Sequence, residues 1–312
     1  PNNHNYYANG ILVHNCDFCY MDSTVNGEHA KYKDISNTLK AMADMKVFEV
    51  AIGGGAPVSH PDFVKILKRA RSLGITPNFT TRSIAWLSKP IADQILKYAG
   101  AFAVSVSDHK QIIKLAKILD VRGIHANERD RVNLHVVMGT VTREEFRRII
   151  VMASRKGLRV TLLGFKETGR GIGFDKIDYS WWLDDIEMLR QMDLDAPDFE
   201  VRSRKRYVGI TQSYLPDISI DTVMAKDYEK ELLNHDIPSW LFHTVDGAFS
   251  AYVDAVNNHM GPASYENFDK MVVFNPNSKT LAQDMRKIYR GFDINEREPI
   301  TVNPILHDDS PI

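Results

Sequence analysis

From about residue 8 to residue 170, short apolar runs alternate with helix-period patterns, and few folds accommodate that rhythm. Runs over 10–13, 48–52, 76–81, 102–106, 133–138 and 159–163 read as strands, and amphipathic stretches over 35–45, 61–73, 85–98, 110–119, 143–156 and 181–192 read as helices. In the second helix Asp62, Lys65 and Lys68 alternate with Phe63, Ile66 and Leu67, one wet face against one dry face. Asp34 and Thr142 read as helix N-caps, Thr142 with Glu145 at capping-box spacing. Gly74 and Gly157 read as helix stops. Strand starts fall roughly 25–40 residues apart, as βα repeats require. Strands that alternate with helices pair in parallel, as a barrel or an open doubly wound sheet. The expected fold class is α/β: a partial (β/α)6 TIM-like barrel over 1–192, capped by a C-terminal α+β extension over 193–312.

Past residue 193 the rhythm changes. The stretch 193–217 is polar and irregular, 218–220 and 251–254 read as short strands, and 226–234 reads as a helix between them. The tail from Asp293 holds three prolines and is expected to wrap the surface. The net charge of −1 excludes attraction to nucleic acid or a membrane surface through bulk charge. No apolar run reaches the roughly 20 residues that span a bilayer. The N-terminus shows no charged-then-apolar signal pattern. Two cysteines among 312 residues cannot form a disulfide framework, so a reducing, cytoplasmic compartment is expected.

In parallel βα architectures the chemistry sits at the carboxyl ends of the strands. The first end carries both cysteines, Cys16 and Cys19, in one short loop. A C-x-x-C pair offers two thiolates to one metal centre or one disulfide. The second end carries Gly53, Gly54 and Gly55, which leave backbone open to a ligand or simply make a tight turn. Thr80, Thr81, Arg82 and Ser83 follow the third strand. Ser105 and Ser107 follow the fourth and point to one side. The fifth strand contains His135, and Lys166 follows the sixth. Taken singly each has a plain structural reading, such as a satisfied strand hydroxyl, a core imidazole or a surface cation. Their recurrence at one end of successive strands points to a site.

The run Cys16-Asp17-Phe18-Cys19-Tyr20, the glycine-rich turn after the next strand and the six-fold βα pattern together resemble the radical S-adenosylmethionine (radical SAM) superfamily, over residues 5–170. The signature there is C-x-x-x-C-x-aromatic-C, followed by a Gly-Gly-Glu-Pro type turn. The resemblance implies a [4Fe–4S] cluster held by cysteines, with S-adenosylmethionine on the remaining iron. Reductive cleavage of its sulfonium bond gives a 5′-deoxyadenosyl radical that abstracts hydrogen from a substrate. By the same resemblance Cys16 and Cys19 ligate iron and Phe18 packs near the adenine. Gly53, Gly54, Gly55, Thr81, Ser105 and Ser107 line the S-adenosylmethionine site. The partners so implied are an electron donor and a small-molecule or peptide substrate.

Two positions depart from that signature. Leu12 stands where the first cysteine belongs, and Ala56 stands where the glutamate belongs. Either His14 supplies a third ligand, as imidazole does in Rieske centres, or the chain is a degenerate barrel that binds or assembles without a cluster. A zinc site combining Cys16, Cys19 and His14 with His29 or His60 is a further arrangement of the same residues. A thioredoxin-like pair fits less well, because no helical periodicity follows Cys19. The loop 166–171 reads as flexible and exposed, or as a lid. Arg202, Arg204, Lys205 and Arg206 read as a solvated basic face, or as an anion-binding surface.

Overall fold

The computed structural model describes residues 6–8, 11–13, 16–24, 26–194, 215–265 and 270–292, with 6–8, 11–13 and 193–194 described by backbone alone. His14, the basic run at 202–206 and the tail from Asp293 lie outside the described residues.

Six parallel strands form one curled, half-barrel sheet: β3 (Glu49–Ile52), β4 (Thr76–Thr81), β5 (Phe102–Ser105), β6 (Val132–Val137), β7 (Arg159–Leu163) and β8 (Ile218–Ile220). Their spatial order is their chain order, each strand pairing in parallel with the next. A doubly wound sheet reverses direction at a switch point. This one does not, so the winding is that of a partial TIM-like barrel. Helices α1 (Tyr32–Asp44), α2 (Phe63–Ser72), α3 (Ile91–Tyr98), α4 (His109–Val121), α5 (Arg143–Arg155) and α6 (Trp182–Leu194) follow the rhythm read from the sequence.

Two strands differ from expectation. The run 10–13 contributes β2 (Ile11–Val13), which pairs antiparallel with β1 (Tyr6–Ala8) and stays outside the large sheet. Its place as a sixth parallel strand goes to β8, from beyond residue 192. A three-residue apolar run carries no mark of its partner, and the Tyr6–Ala8 segment lies only two residues away in sequence, at lower closure cost than the sheet.

Strand alternation divides the sheet. Phe79, Val104, Leu134, Val136, Val160 and Leu162 are buried under the helices, in a core shared with Leu67, Ile95, Leu115, Phe146 and Ile150. Phe79 stacks on Phe102 at 5.7 Å and meets Phe63 and Trp86 edge-on at 5.2 and 5.5 Å. The opposite, concave face is polar. The register sets Ser105 beside His135, His135 beside Thr161, and Thr161 beside Ser219.

Thr142 caps α5 by accepting from the Glu145 N–H at 3.3 Å. The Glu145 carboxylate does not return to close the box; it accepts from the His109 N–H and lies 2.7 Å from His109 Nδ1. Asp34 is not a cap but sits in the first turn of α1, where its charge suits the helix dipole. Gly74 and Gly157 end α2 and α5 at φ +79° and +63°.

The C-terminal part contributes α7 (Thr222–Asp227), α8 (Glu229–Asn234), α9 (Leu281–Arg290) and an antiparallel sheet ordered β11 (Val272–Val273), β10 (His259–Gly261), β9 (Tyr252–Asp254). Met260, Phe274, Leu281, Met285 and Phe292 pack on Ala41 of α1, whose Leu39 packs in a separate cluster with Ile66, Ala70 and Ile75. No helix among the described residues is long and apolar enough to cross a membrane.

Candidate cofactor site at the half-barrel mouth

The cysteine loop crosses the carboxyl ends of β3, β4 and β7, and each strand end holds it. Behind β3, a Cβ built on Gly55 lies 3.0 Å from Ser23 Cβ, so the backbones meet closely only because Gly55 has no side chain. Gly53 and Gly54 face open space. Gly54 adopts φ +101°, a conformation that glycine alone takes without strain. Behind β4, Arg82 places its charge near Cys16 and favours the thiolate there. Behind β7, the Arg170 N–H donates to the Cys19 carbonyl at 3.0 Å. The Arg170 guanidinium donates to the Cys16 carbonyl at 3.1 Å, to Asp22 at 2.5 Å and to the Ser23 carbonyl at 2.8 Å. The loop 166–171, read from sequence as flexible, is instead bound to the cysteine loop along its length.

Cys16 and Cys19 are partly buried, form no disulfide and lie side by side. They share a proton unequally. The Cys16 S–H donates to the Cys19 sulfur, and the Ser23 N–H, the Ser23 hydroxyl and the Met21 N–H aim at the same atom, lowering Cys19 to about 5 against the opposing effect of burial. Holding the shared proton and being buried push Cys16 up. One sulfur is thus a thiolate at neutral pH, the form that binds metal.

Phe18 packs against Phe174 at 5.4 Å and Phe165 at 6.3 Å, anchoring the loop to the core. Thr81 is buried, and its hydroxyl donates to the Ser83 carbonyl at 3.1 Å. Alternation leaves Thr80 on the concave side. Ser105 ends β5 and Ser107 follows it, both partly buried. His60 is 2.9 Å from the Ala30 carbonyl through Nε2 and accepts from the Asp62 N–H through Nδ1, while His29 stacks on its edge at 4.9 Å. Both ring nitrogens of His60 are thus engaged by backbone. Among the described residues the cluster that could hold a metal by side-chain proximity is Asp108, His109 and Glu145, away from the thiols, so neither His29 nor His60 completes a zinc set with the cysteines.

The sequence placed Lys166 at a strand end but gave no signal for the groups that surround it beside the loop. Lys166 Nζ lies 3.4 Å from Asp221 and over the rings of Tyr20 and Tyr265 at 4.9 and 5.3 Å. The Ser264 hydroxyl donates to the Tyr20 hydroxyl at 3.2 Å, and the Tyr265 hydroxyl donates to Asp246, which pairs with Lys226 at 2.6 Å. The C-terminal part therefore touches the residue next to Cys19.

Residues 13–172, just over half of the chain, match the model of a family described as the Radical SAM superfamily. Two solved structures are similar in fold. The crystal structure of Streptococcus suis SuiB shares 19% identity at a TM-score of 0.51, and that of SuiB bound to S-adenosylmethionine shares 18% at 0.52. Each alignment covers 87% of this chain and 64% of the SuiB chain, so the chain spans just under two thirds of SuiB's length. No curated protein matches the sequence.

Proposed function

Because the chain belongs to the radical SAM superfamily, we propose that it binds a [4Fe–4S] cluster and S-adenosylmethionine, cleaves the latter reductively and abstracts hydrogen from a substrate. The observation that carries this reading is the pair of thiols, one a thiolate, held together over the strand ends and tied through Ser23 to the glycine turn. The donor chemistry fits part of a cluster: two sulfurs for two irons, with open space at Gly53 and Gly54 for a ligand. Cys16 and Cys19 would hold the iron, with His14 as the third ligand. When bound, the cluster supplies the electron for the cleavage.

The chain's own residues position and shield. Gly53, Gly54 and Gly55 admit the amino-acid end of S-adenosylmethionine, and Ser105 and Ser107 lie further along the same mouth. Thr81 holds the β4 turn in shape. Phe18, wedged on Phe165 and Phe174, would pack near the adenine. Tyr20 and Tyr265, over Lys166, restrict water at the far side. The electron comes from an external donor, and the substrate is a small molecule or peptide that enters over the polar concave face.

A second reading has its own support. Leu12 stands opposite Tyr7 in the β1–β2 hairpin, and Ala56 replaces a carboxylate, so the same half-barrel serves binding or assembly with no cluster. Anaerobic reconstitution followed by iron and sulfide assay decides. About four of each per chain supports the enzyme; none, in a folded protein, leaves the second reading.

A further inference from the structure

We propose that Arg170 is a positioning residue that presets the spacing of the two thiols, so that the loop is a rigid metal-binding claw before any metal arrives. This rests on the reading that Cys16 and Cys19 ligate metal, and it deepens that reading by locating the part that organises them.

Four contacts carry it. Across about 150 residues of chain, the Arg170 backbone N–H reaches the Cys19 carbonyl, and one guanidinium bridges the Cys16 carbonyl, Asp22 and the Ser23 carbonyl. Both cysteines are therefore held through their own peptide groups, from the same residue. A planar guanidinium suits this task because its donors are fixed relative to one another. Gly169 allows the approach: at φ +55° its missing Cβ would lie 2.5 Å from the Tyr20 carbonyl and 2.8 Å from the Cys19 carbonyl. The Thr168 hydroxyl adds a bond to the Tyr20 carbonyl at 3.3 Å. Arg170 itself is partly buried. Groups that orient metal ligands from outside the coordination sphere commonly carry about 10–100-fold in metal affinity.

The test uses Cd²⁺ alone, titrated into the reduced full chain and read by thiolate-to-metal absorption, with the Cys16→Ser, Cys19→Ser double variant as baseline. Arg170→Met is expected to weaken Cd²⁺ binding by about tenfold or more, while far-UV circular dichroism and thermal midpoint show a folded chain. Binding as tight as wild type overturns the proposal. If Arg170→Met does not fold, Arg170→Gln, which reaches at most one of the three acceptors, is read the same way: weaker binding supports the claw and unchanged binding overturns it. Absence of the thiolate absorption in the wild type overturns it as well. A wild-type chain that binds Cd²⁺ at the thiols yet takes up no iron and sulfide rejects the cluster reading while the Arg170 comparison still stands.

Discussion

Gly55 lies in close contact with Ser23, its missing Cβ 3.0 Å from the serine Cβ and 3.4 Å from the hydroxyl. Ser23 in turn donates to the Cys19 sulfur through both its N–H and its hydroxyl. The turn after β3 and the cysteine loop are therefore one mechanical unit, with the thiolate at its tip.

That contact predicts the behaviour of Gly55→Val. A branched side chain there must displace Ser23, and Cys19 then loses donors that favour its charged form. The pH midpoint of Cys19 alkylation by iodoacetamide is expected to lie below that of an ordinary thiol in the native chain and to rise in Gly55→Val and also in Ser23→Ala. A rise of about one unit corresponds to one charge-assisted hydrogen bond. Peptide mapping separates Cys19 from Cys16. An unmoved midpoint in both variants would show that Ser23 does not stabilise the thiolate.

Removing the sulfurs tests the ligand set itself. Cys16→Ala and Cys19→Ala are each expected to abolish the visible absorbance of a thiolate-held cluster and most of the iron. His14→Ala is expected to lower cluster content if the imidazole is the third ligand. Full iron and absorbance in either cysteine variant would remove that residue from the set.

Strands 76–81 and 159–163 stand where alternation and β-branched content put them, because each alternates buried, helix-facing residues with more exposed ones along its length. The helix read over 85–98 divides into a short 3-10 turn, Ala85–Ser88, and α3, since Pro90 lacks the N–H that a continuous helix needs. The site was legible where local chemistry carried it: the C-x-x-C pair, the glycine turn and the polar strand ends. It was not legible where it depends on pairing across the chain. Nothing near Arg170 marks it as a partner of Cys16, 154 residues away. Likewise, nothing in 10–13 or 218–220 says which of two three-residue runs enters the sheet, because a run that short buries too little to choose its neighbour.

The scaffold has an electrostatic clip that predicts acid sensitivity. Asp185 of α6 is buried, and burial alone would push its carboxyl up. Hydrogen bonds from Arg147 and Arg143 of α5 outweigh this and hold it below the usual range. A depressed carboxylate stabilises the fold above its unfolded pKa and loses that contribution as pH falls through the folded value. Asp185→Asn is expected to cost about 1–3 kcal/mol at pH 7, less than a fully buried broken pair because both arginines are half-exposed. Urea midpoints for variant and wild type should converge toward pH 3. A variant as stable as wild type at pH 7 would deny the clip any net role.

His135 makes the opposite kind of group titrate in a separable window. On the concave face of β6, burial lowers its imidazole to about 4, Asp221 opposes that shift and Lys166 adds to it. Unfolded, the ring titrates near 6.5. Between those values the unfolded chain holds a proton that the folded chain refuses, so stability is full above about 6.5 and falls as pH drops toward 4. From 6.5 to 5 the loss is roughly 1.5 kcal/mol, in a range where Asp185, held below the usual carboxylate value, stays ionised. Urea midpoints of the wild type are therefore expected to slope across that interval, and those of His135→Gln to lie flat. Parallel slopes in the two proteins would mean that the ring takes up its proton without unfolding, and that the concave face beside Ser105 is wet enough to hold a charge.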